Sequence, residues 1–186
     1  MPRLFIAIDL PGEIKKNVCL LCAGLPGARW VHDDQIHLTL RFIGELAPDL
    51  FKELYSHLDE IRAKAFPLHL KGLGIFPPSG KPRVLWVGLK KSEPLEELRT
   101  RIDGVLRRLD IPLEKKKFSP HITIARLDKT EETRLGTYLA DKNLFRQPPF
   151  RVNSFRLYSS ILRPQGPIHT CEAEYFLSRP ASGGQP

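Results

Sequence analysis

The chain is expected to fold as a quasi-duplicated α+β protein, with two antiparallel sheets facing one another and helices outside. Three observations lead there. A His-apolar-Thr-apolar segment occurs twice, as His37-Leu38-Thr39-Leu40 and His121-Ile122-Thr123-Ile124, nearly half the chain apart. Short apolar runs alternate with amphipathic stretches in the order strand, helix, His strand, helix, strands, helix, His strand, helix, strands. No long linker divides the 186 residues. Residues 1–178 are therefore expected to form one domain of two intimate lobes, with a disordered tail over 179–186.

The elements follow from local pattern. Arg3–Asp9 reads as a buried strand. Pro11 and Gly12 open a helix over about 12–24, with Ile14, Val18 and Leu21 on its apolar face. Gly24-Leu-Pro-Gly27 breaks it, Arg29-Trp30-Val31 reads as a short strand, and Gln35–Gly44 as the first His strand. Pro48 opens a helix through Ala65, with Leu50, Leu54, Leu58 and Ile61 at helical spacing. Leu68–Ile75 and Arg83–Leu89 read as strands around the loop Phe76–Pro82. That loop resembles a phosphate-binding P-loop only superficially, because Pro82 stands at the Ser/Thr position and the glycine spacing is wrong. Ser92–Leu109 is the clearest helix: Ser92 caps it, Pro94 sits in its first turn, and Leu95, Leu98, Ile102, Val105, Leu106 and Leu109 form its stripe. Phe118–Arg126 is the second His strand, and Thr130–Ala140 a helix with Thr130 as cap. Val152–Leu162 and Ile168–Leu177 close the chain as strands, joined through Ile161–Pro167.

Composition narrows the partners. The net charge of +8 and pI of about 9.6 favour polyanions, nucleic acid first. Three cysteines make no disulfide framework and fit a reducing, cytoplasmic setting. Cys19-x-x-Cys22 lies in an apolar run with no second pair to complete a zinc site, so it reads as buried helix cysteines. There is no paired acidic motif for magnesium, and nothing approaches a membrane span.

In a strand, residues two apart share a face. Each repeated segment therefore presents an imidazole beside a hydroxyl, while Leu38, Leu40, Ile122 and Ile124 point into a core. Two imidazoles and two hydroxyls in one cleft suit acid–base chemistry on a phosphodiester: one His takes a proton, the other gives one, and the hydroxyls hold phosphoryl oxygens. His32, His57, His69 and His169 read as surface or satisfied core residues. Arg41, two beyond Thr39, shares the His face by strict alternation. Arg126, three beyond Thr123, reaches that face only if the strand ends or bulges. Lys115-Lys116-Lys117 precedes the second His strand and is either a solvated run or an RNA backbone contact. Phe5, Trp30 and Phe42 are candidates for stacking on bases, with core packing the expected role of Phe5 and Phe42.

These residues resemble the 2H phosphoesterases, named for two His-x-Thr/Ser motifs. Within that superfamily the chain is most similar to the prokaryotic RNA 2′,3′-cyclic phosphodiesterases, also called 2′-5′ RNA ligases. Arg3-Leu-Phe-Ile-Ala-Ile8, Arg29-Trp30-Val31, His37–Gly44, Pro120–Arg126 and Leu157–Pro167 all fit, in order and over nearly the whole chain. His169 stands where such proteins often carry an aromatic residue. The resemblance implies a bilobal fold with a central cleft, no metal, no nucleotide cofactor, and an RNA bearing a 2′,3′-cyclic phosphate as substrate. It implies hydrolysis to a 2′-phosphate, so that O3′ leaves. His37 is then the general acid and His121 the general base, with Thr39, Thr123, Arg126, Arg41 and Trp30 as substrate contacts. The alternatives are ligation of RNA ends through a 2′-5′ bond in the same cleft, a non-catalytic RNA- or nucleotide-binding module, and a 2H enzyme for another substrate such as ADP-ribose cyclic phosphate or 2′-5′ oligoadenylate. A monomer is the default.

Overall fold

The computed structural model describes residues 2–114, 117–164 and 166–178. The tail over 179–186, and Lys115 and Lys116 of the lysine run, lie outside the described residues. The elements are β1 (Arg3–Asp9), α1 (Gly12–Cys19), β2 (Arg29–Trp30), β3 (His37–Gly44), α2 (Pro48–Asp59), β4 (Phe66–Leu68), β5 (Leu70–Phe76), β6 (Val84–Leu89), α3 (Glu93–Arg108), β7 (His121–Arg126), α4 (Glu132–Lys142), β8 (Phe150–Val152), β9 (Ser154–Arg163) and β10 (Gly166–Phe176).

The strands form two four-stranded sheets, ordered β10-β9-β1-β3 and β2-β7-β6-β5, and a small β4-β8 pair. Every pairing within them is antiparallel. The chain passes repeatedly between the sheets: β1 and β3 lie in the first, β5, β6 and β7 in the second, β9 and β10 in the first again. Helices α2 and α3 back the first sheet. Tyr175 of β10 donates to the Tyr55 carbonyl of α2 at 3.1 Å, and Arg41 of β3 reaches Asp103 of α3. Helix α4 backs the second sheet, with Tyr138 against Trp30 of β2 at 6.0 Å between ring centroids. The Tyr138 hydroxyl also donates to the Leu21 carbonyl, which ties α4 to the segment after α1. One continuous apolar core joins both layers, from Ile6, Ile8 and Leu38 through Leu98 and Ile102 to Ile122 and Ile124.

Several elements differ from expectation for identifiable reasons. The first helix stops at Cys19 rather than near 24. The turn after it tightens through Leu21 N–H to Val18 O and Cys22 N–H to Cys19 O, yet Leu21 and Leu25 still reach the core. Helix α2 stops at Asp59 rather than Ala65. Backbone groups that would continue it are taken by the far end of the chain, Ala65 N–H by Ser178 O and Ser178 N–H by Ala63 O. The expected 68–75 strand is two strands, β4 pairing β8 and β5 pairing β6. Strands β9 and β10 extend to Arg163 and from Gly166, so most of the expected 161–167 turn is paired. Helix α4 begins at Glu132, and Thr130 does not cap it: its hydroxyl is buried without a partner among the described residues. Helix α3 matches closely, and Ser92 Oγ accepts from Leu95 N–H at 3.4 Å.

Candidate active site

Cross-strand register fixes which side chains share the cleft. In the first sheet Asp9 lies opposite His37, Ala7 opposite Thr39, Ile6 opposite Arg41 and Phe5 opposite Phe42. From Thr39 to Arg41 strand β3 advances two residues while β1 advances one, so Leu40 is bulged out. In the second sheet Gly88 lies opposite His121, Trp86 opposite Thr123, Leu85 opposite Ala125 and Val84 opposite Arg126, so Ile124 is bulged in the same way. Directly opposed residues share a face. Each bulge therefore inverts the alternation one residue past the threonine. His37, Thr39 and Phe42 share one face; His121, Thr123 and Arg126 share the other.

Both faces lie opposite their sheet's helices. Arg41, on the far side of the first bulge, points to α3; Ala125, on the far side of the second, is fully buried. Strands β3 and β7 pack next to one another. Among the described residues neither the Thr39 nor the Thr123 hydroxyl has a hydrogen-bond partner within the chain.

The two imidazoles sit in different surroundings. His37 stacks on Phe5 (ring centroids 5.1 Å, 24° between planes), lies near Tyr158 (6.2 Å, 17°) and meets His169 edge-on (5.6 Å, 76°). This packing lowers its pKa from 6.5 to about 4, chiefly through burial, with His169 adding to the shift and Asp9 opposing it. His121 is half-buried against Phe76 (4.9 Å, 83°) and Trp86 (6.2 Å). Its Nδ1 stands 2.7 Å from the Ser119 carbonyl. A carbonyl only accepts, so Nδ1 carries the proton, and in the neutral ring Nε2 is the acceptor. Gly74, opposite Trp86, makes room for this wall, because a Cβ there would lie 2.2 Å from the indole.

At the lower end of the first wall a charged ladder holds the rings. Arg156 pairs with Asp9 and, at 3.1 Å, with Glu174, while the Tyr158 hydroxyl donates to Asp9 at 2.9 Å. Burial raises the Tyr158 pKa to about 12, so it stays a donor. A strap crosses nearby: Gln35 Nε2 donates to the Pro167 carbonyl at 2.7 Å, linking the turn before β3 to β10. His32, Asp33 and Asp34 on that turn bring three potential metal-ligand atoms within 4.8 Å of one another, but all are exposed and hydrogen-bonded among themselves.

Register puts His37 and Thr39 on one face of the first sheet, and His121, Thr123 and Arg126 on one face of the second. It moves Arg41 and Trp30 out of the cleft. Arg41 is 4% exposed and bidentate to Asp103 (Nε–Oδ1 2.8 Å, Nη2–Oδ2 2.6 Å), because the Leu40 bulge turns it inward. Trp30 lies opposite Ala125 and packs toward Tyr138, on the helix side. Phe42, expected in the core, is 55% exposed on the cleft face, and Phe5 is buried beneath His37 rather than in the main core. His169, read as ordinary, is part of the His37 wall. Trp86, Tyr158 and Phe76 were not singled out in the sequence. Strand alternation carries that signal: Leu85 and Val87, or Phe155 and Leu157, are apolar and buried, which puts Trp86 and Tyr158 on the opposite face.

Fold and site define the class, a phosphoesterase with a His-x-Thr pair in each of two lobes. The chain belongs to the LigT-like phosphoesterase family, whose model matches residues 8–86 and again 87–169, one match for each His strand. Among curated relatives it is similar to the RNA 2′,3′-cyclic phosphodiesterase of Aquifex aeolicus, 35% identical over 91% of this chain and 90% of that protein. The protein of the same name from Thermotoga maritima is 35% identical over 95% of this chain and 98% of its own length. Among solved structures, E. coli LigT complexed with 3′-AMP superposes with a TM-score of 0.77 and 28% identity, covering 96% of this chain and 100% of that one. No helix among the described residues is long and apolar enough to cross a membrane.

Proposed function

We propose that this protein is an RNA 2′,3′-cyclic phosphodiesterase, opening a terminal cyclic phosphate to a 2′-phosphate by two-histidine acid–base catalysis. The observation that supports the reading is the duplicated His-x-Thr strand: in each sheet an imidazole and a hydroxyl without a partner among the described residues share one face, and the bulge in β7 adds Arg126 to that face. Water attacks phosphorus from the His121 side and gives its proton to Nε2. The P–O3′ bond breaks as His37 delivers a proton to O3′. Thr39 and Thr123 donate to the non-bridging oxygens, and Arg126 takes up phosphate charge. Burial keeps His37 neutral in the free protein, so it gains its proton together with the anionic substrate, whose charge offsets the desolvation. No step in this scheme calls for a metal ion. The names of the Aquifex and Thermotoga relatives and the nucleotide held by LigT support an RNA end as substrate.

The test is turnover of a short RNA ending in 2′,3′-cyclic phosphate, with EDTA present. Wild type should release a 2′-phosphate end, and His37→Ala and His121→Ala should each lose about 10²–10⁴-fold. A 3′-bridging sulfur leaves without a proton, so a 3′-thio substrate should rescue His37→Ala and not His121→Ala. The opposite rescue would reverse the two roles. Activity that survives loss of either histidine would sink the mechanism.

A further inference from the structure

The approach to His121 is held by side chains. Among the described residues of 112–120 no backbone–backbone hydrogen bond is made, and the chain enters β7 directly from Phe118-Ser119-Pro120. Leu113 and Phe118 of this segment pack against the core. Two guanidiniums also reach it. Arg41 Nη1 lies 3.5 Å from the Glu114 carbonyl, and the Arg99 guanidinium lies 4.4 Å from the centre of the Phe118 ring. Both arginines meet one carboxylate. Asp103 of α3 takes Arg41 in a two-point pair and has Arg99, one turn earlier, at 3.8 Å. Arg99 is a costly residue at this place. Its Nε is buried without a partner among the described residues, and burial, then the Arg41 charge, lowers its pKa. An ion pair at 3.8 Å is a loose hold on such a cation, and the face of Phe118 supplies the rest.

We infer that Arg99 is a positioning residue for His121: seated on Asp103, it pins the Phe118 ring and so fixes the Ser119 carbonyl that receives the Nδ1 proton. This deepens, and rests on, the reading of His121 as the general base. Phe118 and Ser119 are adjacent, so a ring held at one residue restricts the carbonyl of the next. That carbonyl stands 2.7 Å from Nδ1. The hydrogen bond made by one imidazole nitrogen decides which tautomer the ring adopts. With Nδ1–H donated to Ser119, Nε2 keeps its lone pair for the proton of water. Without that acceptor in place the neutral ring is free to carry its proton on Nε2, and a nitrogen so protonated accepts nothing. His37 is held by ring packing instead. Asp103 also ties down Arg41, two residues past Thr39, so one carboxylate on α3 braces both His strands.

Nitrogen–proton correlation spectra of the imidazoles at about pH 8, where neutral rings predominate, report the tautomer of each histidine. They are recorded for wild type, Arg99→Gln, Phe118→Leu and Phe118→Tyr, with kcat and KM on a short RNA ending in 2′,3′-cyclic phosphate. Arg99→Gln removes the cation. Phe118→Leu removes the π-face and keeps apolar bulk. Each should turn the His121 signal from the Nδ1–H form to a mixture and lower kcat about 10-fold, with KM within about 2-fold. Phe118→Tyr keeps the face and should match wild type, and the His37 signal should stay unchanged throughout. Because both changes cut one link, Arg99→Gln combined with Phe118→Leu should cost no more than the worse of the two. If Arg99→Gln does not fold, Phe118→Leu decides by the same readings. A His121 signal that stays in the Nδ1–H form, additive losses, or equal disturbance of both histidines would overturn the assignment. Should wild type not turn over the RNA, the phosphodiesterase reading fails by itself. The His121 tautomer then decides the role of Arg99: a mixture in the variants sustains it, and an unchanged signal overturns it.

Discussion

His37 and His121 hold equivalent places in two sheets with the same bulge, and their neighbours differ in kind. His37 lies among aromatic and imidazole rings that strip it of water. His121 is anchored by a backbone carbonyl through Nδ1, with Phe76 and Trp86 beside it. A duplicated scaffold thus supplies position twice, and the surroundings differ: burial lowers the His37 pKa, while a backbone carbonyl fixes the His121 tautomer. The same strand geometry can serve two opposite proton tasks when the surroundings are allowed to diverge.

The divergence is greatest behind the bulges, where it can be broken most sharply. The first strand buries Arg41 against Asp103, while the second places Ala125 at the equivalent position. The Arg41 and Asp103 side chains are 4% and 9% exposed, and Arg99 approaches the same carboxylate at 3.8 Å. Arg41→Ala leaves Asp103 buried with a poorer partner and should cost about 3–5 kcal/mol in urea unfolding, whereas a conservative Ala125→Gly should cost less. The double change Arg41→Met with Asp103→Leu should recover most of the loss. If Arg41→Ala unfolds at the wild-type urea concentration, the pair does not hold β3 to α3.

That pair also marks where the sequence stopped being legible. Both His-x-Thr faces, the two-sheet architecture and helix α3 followed from alternation and helical spacing, because those periods survive wherever the strand is regular. A bulge changes parity at one residue and leaves no compositional mark: Leu40-Arg41 and Ile124-Ala125 look like ordinary strand sequence. One missed parity therefore moved Arg41 to the wrong face and left Arg126 conditional. Strict alternation likewise hid Phe42. Helix ends failed for a different reason, since Ala63 and Ala65 are claimed by Ser178, more than a hundred residues away. No local window contains that information.

Acid should sharpen the comparison on the His37 side. Its pKa falls from 6.5 unfolded to about 4 folded. The neutral form is thus favoured by folding, and the resulting stability is whole above about pH 6.5. It is lost as pH falls from there toward 4, because the unfolded chain binds the proton first. The window corresponds to on the order of 3 kcal/mol. Denaturant unfolding of wild type and His37→Gln at pH 7 and pH 4.5 measures it. Wild type should lose more stability than the variant between the two values. Equal losses would mean that the ring wall does not desolvate His37 as the geometry implies.

The smallest expected effect separates the two faces of the second sheet. Trp30 and Arg29 are neighbours on β2, yet Arg29 lies opposite Arg126 and Trp30 opposite Ala125. Trp30 therefore belongs to the packing between β2 and α4, where its indole meets Tyr138. Trp30→Phe keeps an aromatic ring there and shrinks it, a change worth about 1.5 kcal/mol or less in stability. KM for a nucleoside 2′,3′-cyclic phosphate should stay within about 2-fold of wild type, since a ring on the helix side has no base to stack on. Phe42 stands on the opposite side of that distinction, more than half exposed on a cleft face. A rise in KM for Trp30→Phe, with stability unchanged, would put the indole in the cleft. It would also mean that the Ile124 bulge does not invert the face of β7 at Ala125. Because Arg126 shares the His121 face only through that inversion, this mild substitution tests the geometry on which its proposed phosphate contact depends.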